Sequence, residues 1–449
     1  MKKFCKIALG CVAFTGCTTD APVVGQTTDE VTCPVPTLDT TRSLMVTDPT
    51  ALASFSFQRV MDAITTSGHA TNTSLQMWQA WMATFANCSD PKIDPNGYGI
   101  TCPRVESTLG SINPFLATGP HFVPVALANR FDLAPQSGAD CGEYRILFAL
   151  SGGNGRGFII FEGRLPNPTP TAGISGCAPV ADFWAQLSTD PSTTSRAAKL
   201  DNFYFTGLTG FEPVVAAAHY GLANSLTTNS RNKGQIRTNM FVQNQQWNLR
   251  EFQLTKPCAA TASCTLSVEH VTVKENPADE LFKGTHPNAP AFQSAFLTQI
   301  PALSAGTAAT IGMSIGNQFN EFESVSSGST NVLYANFTQA SFQAQIAANI
   351  TNPSLTVANI LDRATTQTCA GCHQLSSGLH AQLGGGVVWP SSLGFVQVNE
   401  QSQLSQALTT SFLPHRSTVL TNFLRAQCAG TPAVDNGTTL SGGPVGAAN

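Results

Sequence analysis

The sequence predicts an α+β fold, with N-terminal helices, a central strand-rich domain with helical insertions, and a mainly helical C-terminal region. Three observations predict it. Apolar residues recur at helical spacing over 54–87, apolar runs bounded by turn residues fill much of 105–275, and helical spacing returns after residue 276. The order of these patterns, with helical segments before and after a block of strands, is typical of an α+β fold.

Composition and pattern divide the 449 residues into seven segments. Only 11% of the residues are charged, and Ser, Thr, Asn, Gln, Gly and Pro are abundant, which is typical of an exported, turn-rich protein. The predicted segments are a leader (1–17), a tether (18–50), a helical segment (51–104), the strand-rich domain (105–275), a mixed and helical connector (276–354), a C-terminal helical region (355–430) and a disordered tail (431–449).

The leader resembles a bacterial lipoprotein signal. Three lysines within the first six residues precede a short apolar stretch that ends at Phe14-Thr15-Gly16-Cys17, with Phe14 where Leu is usual. In such signals the cysteine after a small residue is lipidated, so Cys17 is the predicted lipidation site. Thr18 resembles the pattern that is sorted to the outer membrane. We therefore expect an exported outer-membrane lipoprotein of the cell envelope that contacts the membrane only through its lipid; a plain secretory signal is the alternative.

The charge balance argues against a nucleic-acid partner. Removal of residues 1–16 takes away three of the 23 basic residues and leaves 20 against 27 acidic ones, a net charge near −7. The chain has no basic run and no stripe of lysine and arginine, which nucleic-acid binding requires.

Cysteine usage also predicts export. Apart from the leader and one C-terminal pair, eight cysteines remain, and an even number in an oxidising compartment suggests four disulfides. Sequence does not determine their connectivity. We expect neighbours to pair, as Cys88–Cys102, Cys141–Cys177 and Cys258–Cys264, with Cys33–Cys428 joining the two ends.

Cys369-Ala370-Gly371-Cys372-His373 is a C-x-x-C-H run, the attachment signature of a c-type haem. In that chemistry the thiols of Cys369 and Cys372 form thioether bonds to the two haem vinyl groups, and His373 is the proximal iron ligand. The sequence therefore predicts one covalent haem c. Two alternatives remain open, a disulfide and a metal clip, although a zinc site needs four ligands and only His380 is a nearby fourth.

A predicted helix runs into Cys369, which is the arrangement of cytochromes c, and this resemblance covers 355–428. Cytochromes c usually supply a methionine after the histidine, but all seven methionines here precede Cys369. The distal iron ligand is therefore His380, His415, an upstream methionine, or none. His415 lies in a Pro-His-Arg run that equally marks the start of a helix over 418–426.

Five charged residues are embedded in the apolar strands. They form either a buried ion-pair network or the lining of a pocket, and the network is the favoured interpretation. These residues are Arg130, Asp132, Glu143, Arg145 and Glu162.

Several stretches, spread over most of the mature chain, resemble one protein family. They are Ser56-Phe57-Gln58-Arg59-Val60-Met61, the run from Val125 to Leu133, Cys141-Gly142-Glu143-Tyr144-Arg145, Leu249-Arg250-Glu251-Phe252, and the run from Thr368 to Gln374. The family consists of exported proteins of bacteria such as myxobacteria. The resemblance implies a lipoprotein with a C-terminal C-x-x-C-H motif, and it implies no activity.

These observations predict an exported, lipid-anchored c-type haem protein that acts in electron transfer with a redox partner the sequence does not identify. A haem enzyme or ligand sensor with an open iron site is an alternative, favoured by the missing downstream methionine. A surface binding or structural lipoprotein, in which C-x-x-C-H is a disulfide or metal clip, is another. The H-E-x-x-H signature of metalloproteases does not occur.

Overall fold

The structure is a computed structural model, and it describes residues 32–222, 234–243, 246–256, 264–326, 333–375 and 381–430. Four predicted features therefore lie outside the described residues. They are the leader with Cys17, the Cys258 end of one disulfide, His380, and the tail 431–449.

An eight-stranded antiparallel sheet forms the centre of the described part of the chain, in the order β1 to β7, with β8 paired to β6. The strands are β1 (Met45–Val46), β2 (His121–Arg130), β3 (Asp140–Ser151), β4 (Gly155–Pro166), β5 (Gln235–Val242), β6 (Trp247–Thr255), β7 (Ser267–Val271) and β8 (Ser324–Ser326). Six strands come from the predicted strand-rich block. β1 and β8 come from the segments before and after it, so the sheet joins all three.

Helices precede, interrupt and follow these strands, which confirms the α+β prediction. No helix in the described ranges has the length and apolar character needed to cross a membrane. The helices are α1 (Thr40–Ser43), α2 (Pro49–Leu52), α3 (Phe57–Ser67), α4 (Ser74–Ala83), α5 (Ala178–Gln186), α6 (Thr193–Phe205), α7 (Asp279–Lys283), α8 (Ala289–Leu297), α9 (Ile300–Leu303), α10 (Ala340–Asn349), α11 (Val357–Thr365), α12 (Cys369–Leu375) and α13 (Leu413–Cys428).

The N-terminal helices cover one face of the sheet with an apolar core. Side chains alternate along a strand, so this face takes every second residue of β3 to β6. Phe57 of α3 contacts Phe148 of β3 with ring centroids 5.2 Å apart, and Trp81 of α4 contacts Phe252 of β6 at 5.4 Å. Both methionines of α4 are buried in this core, as their helical spacing predicts.

The C-terminal region covers the opposite face. Phe395 stacks on Trp247 of β6 at 5.6 Å, and its carbonyl accepts a hydrogen bond from the Asn239 side chain of β5 at 3.1 Å. The helix predicted over 418–426 begins earlier, at Leu413, after a π-helical turn over Leu408–Phe412. The Pro-His-Arg run therefore lies in the first turn of α13, where proline is tolerated because its missing N–H has no helical partner.

Three predicted disulfides are confirmed: Cys33–Cys428, Cys88–Cys102 and Cys141–Cys177. Cys264 is also disulfide-bonded, and its predicted partner lies outside the described residues. The Cys33–Cys428 bridge joins positions 395 residues apart and fixes the C-terminal end of α13 to the start of the described chain.

Candidate functional site

The C-x-x-C-H run forms the first part of α12, directly after α11. The Thr368 hydroxyl caps the new helix by accepting the Gly371 N–H at 2.9 Å. A Cβ atom on Gly371 would lie 1.9 Å from the carbonyl oxygen of Thr365, the last residue of α11. The tight junction between the two helices therefore depends on a glycine at this position of the motif.

Cys369, Cys372 and His373 are 1%, 0% and 1% exposed. Positions three and four apart lie on one side of a helix, so α12 presents all three side chains together. Cys369 packs against Leu249 of β6 and Val273. Leu249 lies on the same sheet face as Glu251, two residues further on, and α12 therefore lies across that face.

A segment between α12 and α13 holds α12 from the other side. The Trp389 indole donates a hydrogen bond to the Cys372 carbonyl at 3.1 Å, and the Ser392 hydroxyl donates to the His373 carbonyl at 3.3 Å. The Gln397 amide lies 3.9 Å from the Cys372 sulfur. The segment containing Trp389 therefore packs directly on the motif.

Arg363 of α11 positions the start of that segment. Its buried guanidinium donates hydrogen bonds to the backbone carbonyls of Leu383 at 2.7 Å and Gly384 at 2.9 Å. It also donates to the carbonyls of Leu303 and Ala305 at 2.8 and 2.9 Å. One side chain thus joins α11, the end of α9 and the segment that covers α12.

A row of alternating charges crosses the sheet on the face that α12 covers. Arg145 lies opposite Glu162 in the β3–β4 pair, and Arg237 lies opposite Glu251 in the β5–β6 pair. From Glu143 the successive ion-pair distances are 2.7, 3.3, 3.5 and 2.9 Å. All five side chains are buried. The predicted ion-pair network is therefore confirmed, with Arg237 and Glu251 as further members.

The network continues toward β2. Arg164 pairs with Asp140 at 3.0 Å, and Arg130 pairs with Asp132 at 2.9 Å. Arg416 of α13 reaches the same Asp132 at 3.9 Å. Sequence could have indicated Arg237, because it is a charged residue within a strand that also contains Ile236 and Met240. It gave no sign of Arg416, whose partner is nearly 300 positions away in the chain.

Burial controls the ionisation of the motif. It raises the pKa of Cys369 to about 12 against the opposing effect of Arg237, and it raises the pKa of Cys372 further. Burial, with a smaller effect of Arg237, lowers the pKa of His373 to about 3. Both thiols and the imidazole are therefore neutral near pH 7.

A cavity of about 250 Å³ adjoins the N-terminal end of α12 and is lined by Thr368 and Ala370. Three carboxylates also line it: Asp279, Glu321 and Glu323. Burial, followed by the charge of Asp279, raises the pKa of Glu321 well above its ordinary value. The motif helix therefore borders a polar, acidic space.

His415, the distal-ligand histidine that lies within the described residues, is half-buried near the N-terminus of α13. Burial lowers its pKa, Asp132 opposes this and Arg416 adds to it. For His373 the charged neighbour that lowers the pKa is Arg237. The structure thus brings Cys369, Cys372 and His373 together on one helix and gives His415 different charged neighbours.

The chemistry of the motif fits a covalently attached haem. Neutral imidazole is the form that coordinates iron, and the two thiols lie one helical turn apart beside it. Every other cysteine in the described part of the chain is in a disulfide, and Cys369 and Cys372 are its free thiols. The described ranges contain no group of three or more His, Cys, Asp or Glu side chains arranged to hold a metal ion.

Comparison of the chain with protein-family models, with curated proteins and with solved structures found no match. The arrangement of its own residues therefore carries the functional argument.

Proposed function

We propose that the protein is an exported c-type haem protein that acts in electron transfer and is anchored to the outer membrane through a lipid on Cys17. The observation that carries the proposal is the pair of free thiols on one turn of α12, beside His373, in a chain whose other described cysteines are disulfide-bonded. Two free thiols at C-x-x-C spacing before a histidine are the groups that covalent haem attachment needs.

Attachment of haem to this helix needs no oxidant. Each thiol adds across a vinyl double bond, so that sulfur bonds to one carbon and the thiol hydrogen goes to the other. Cys369 and Cys372 would hold the porphyrin in this way, and His373 would provide the axial nitrogen. When bound, the haem supplies one-electron chemistry.

The surroundings of α12 suit a redox centre. Burial and hydrogen bonding near a haem tune its potential, and the motif is buried between the sheet and the Trp389 segment. The charge of Arg237 lowers the pKa of all three motif side chains. Ion pairs with Glu162 and Glu251 hold Arg237 in place. The protein therefore supplies a rigid, charge-balanced environment on one side of the motif.

The disulfides support the proposed location, because they persist in oxidising compartments such as the periplasm and cell surface. The lipid anchor rests on the sequence around Cys17.

A denaturing gel stained for haem peroxidase activity tests the proposal. The protein would be produced in a host with cytochrome c maturation, beside Cys369→Ala/Cys372→Ala and, as a matched control, Cys88→Ala/Cys102→Ala. We expect a stained band for the wild type and the control and none for the first variant. An unstained full-length wild-type band would overturn the proposal and leave a disulfide or metal clip as the function of the motif.

A haem enzyme or ligand sensor with an open iron site is the second candidate. The acidic cavity beside Thr368 and Ala370 favours it, as does the lack of a methionine after His373. Carbon monoxide added to the reduced protein separates the two candidates by absorption spectroscopy. Binding would indicate an open or readily displaced coordination position, and no change would favour electron transfer.

A further inference from the structure

Two buried arginines meet at one carboxylate where the end of β2 contacts α13. Arg130 is the last residue of β2, and Asp132 lies in the helical turn that follows it. Arg416 comes from the first turns of α13. Phe131 and Phe423 close this corner with ring centroids 4.7 Å apart. Arg130 and Arg416 are 2% and 3% exposed, so water does not compensate their charges.

Asp132 is already fully used by Arg130. The Arg130 Nε lies 3.0 and 3.2 Å from the two carboxylate oxygens, and its Nη2 lies 2.9 Å from one of them. The remaining nitrogen, Nη1, is buried and has no hydrogen-bond partner in the described part of the chain. Arg130 therefore keeps one unsatisfied donor group that faces away from Asp132.

Arg416 is less well paired. Its Nε is 3.9 Å from Asp132, beyond hydrogen-bond distance, and its Nη1 is buried without a partner among the described residues. A guanidinium does not lose its proton in proteins. Asp132 therefore balances the buried charge of Arg416 only in part, and a further negative group at this corner would stabilise it.

The neighbouring carboxylates do not supply that group. Glu143 is bonded to Arg145 at 2.7 Å. Burial and then Arg130 lower the pKa of Arg416, and this repulsion exceeds the attraction of Asp132. The corner therefore carries an excess positive charge.

We infer that Arg130 and Arg416 form a binding site for a small oxyanion with the chemistry of a carboxylate. Guanidinium groups bind planar carboxylates through paired N–H donors, and both side chains have an Nη1 group to offer. The carboxylate has two sources, a propionate of the attached haem or a free anion. The first source rests on the function proposed above; the site itself does not.

Calorimetric titration of the full chain with sodium acetate tests the site, in a zwitterionic buffer without other small anions. The proteins are the wild type, Cys369→Ala/Cys372→Ala, and each of these with Arg416→Met. Arg156→Met is the matched control, because Arg156 bonds both oxygens of Glu400, at 2.6 and 3.0 Å. Circular dichroism and the melting temperature establish that each variant is folded.

Acetate binding to both haem-bearing and haem-free protein supports a site for a free anion. Binding only to the haem-free variant supports a propionate as the natural occupant. In either case Arg416→Met weakens binding at least about tenfold, since it removes a charge-assisted hydrogen bond, and Arg156→Met leaves it unchanged. Absence of acetate binding from both forms, or undiminished binding to a folded Arg416→Met protein, would overturn the inference.

Asp132→Asn gives a second test if Arg416→Met does not fold. It removes the carboxylate that the two arginines share, so we expect acetate to bind more tightly than to the matched parent. Weaker or unchanged binding would contradict the site. The haem-stained gel is read separately: an unstained wild type that binds acetate would refute the proposed function and leave the anion site standing.

Discussion

Gly371 lies where α12 comes closest to the end of α11. Its position inside C-x-x-C-H gives no reason for glycine, because haem attachment places no demand on the intervening residues. The reason is steric, since any Cβ there would overlap the Thr365 carbonyl oxygen.

We therefore expect Gly371→Ala to destabilise the protein by about 1–3 kcal/mol through overpacking and to reduce haem incorporation. Gly306→Ala is the control, because a Cβ on Gly306 has no atom within 4 Å. Chemical denaturation and the haem-stained band measure the two effects. Equal stability of the two variants would show that the junction between α11 and α12 accommodates a Cβ atom, and it would contradict the steric argument.

His270 of β7 is buried between aromatic rings, with centroid distances of 6.0 Å to Phe85 and 4.6 Å to Phe252. Burial, assisted by Arg250, lowers its pKa well below 6.5. The unfolded chain therefore binds a proton below pH 6.5 that the folded chain does not bind. By linkage, this group lowers the stability of the protein as pH falls through 6.5.

The predicted slope for His270 approaches about 1.4 kcal/mol per pH unit below pH 6.5. His270→Phe keeps the aromatic packing and removes the titrating group. Unfolding free energies measured from pH 7.5 to 5.5 should fall more steeply for the wild type than for this variant. Parallel curves would contradict a neutral, buried His270.

At the scale of elements, the charge row of β3 to β6 lies between the sheet and α12. Each carboxylate in the row is paired with an arginine on its own or the next strand. The buried charges therefore depend on one another for compensation. Arg237 contacts both Glu162 and Glu251.

Arg237→Leu should therefore lower the free energy of unfolding by about 3–5 kcal/mol, because it removes the arginine that pairs with the buried carboxylate of Glu251 and leaves Glu162 with Arg145 alone. Arg42→Leu is the control, since the Arg42–Asp39 pair is exposed and such pairs contribute at most about 1 kcal/mol. Urea denaturation compares the variants. A loss for Arg237→Leu no larger than for Arg42→Leu would mean that the row does not stabilise the sheet.

The elements that sequence predicted best are those defined by local pattern. The helical spacing over 54–87 corresponds to α3 and α4, and the helix predicted to run into Cys369 is α11. The C-x-x-C-H residues were found for the same reason. What sequence missed depends on distant contacts, because Arg416 of α13 reaches Asp132, a residue far away in the chain.

At the scale of the whole molecule, the described segments from residue 32 onward belong to one compact unit. β1 and β8 add strands from both sides of the central block, and the Cys33–Cys428 bridge ties α13 to the beginning of that unit. The bridge therefore restrains the C-terminal end of α13, the helix that carries Arg416.

The Cys33–Cys428 bridge closes a loop of 395 residues in the unfolded chain. Its removal in Cys33→Ala/Cys428→Ala should therefore lower the free energy of unfolding by about 2–5 kcal/mol. Cys88→Ala/Cys102→Ala, which opens a separation of only 14 residues, should cost less. Melting temperatures of both variants are compared with the wild type. A larger loss of stability in Cys88→Ala/Cys102→Ala than in Cys33→Ala/Cys428→Ala would contradict this prediction.

The central claim is that Cys369 and Cys372 carry haem. Trypsin cleaves after Arg363 and Arg416, and the sequence between them has no other lysine or arginine, so one peptide of residues 364–416 contains the whole motif. Its mass in protein from a maturation-competent host is the most direct measurement. We predict the mass of the peptide plus one haem, with both thiols resistant to alkylation. A peptide of unmodified mass, with thiols that react with the alkylating agent or are joined in a disulfide, would contradict the claim.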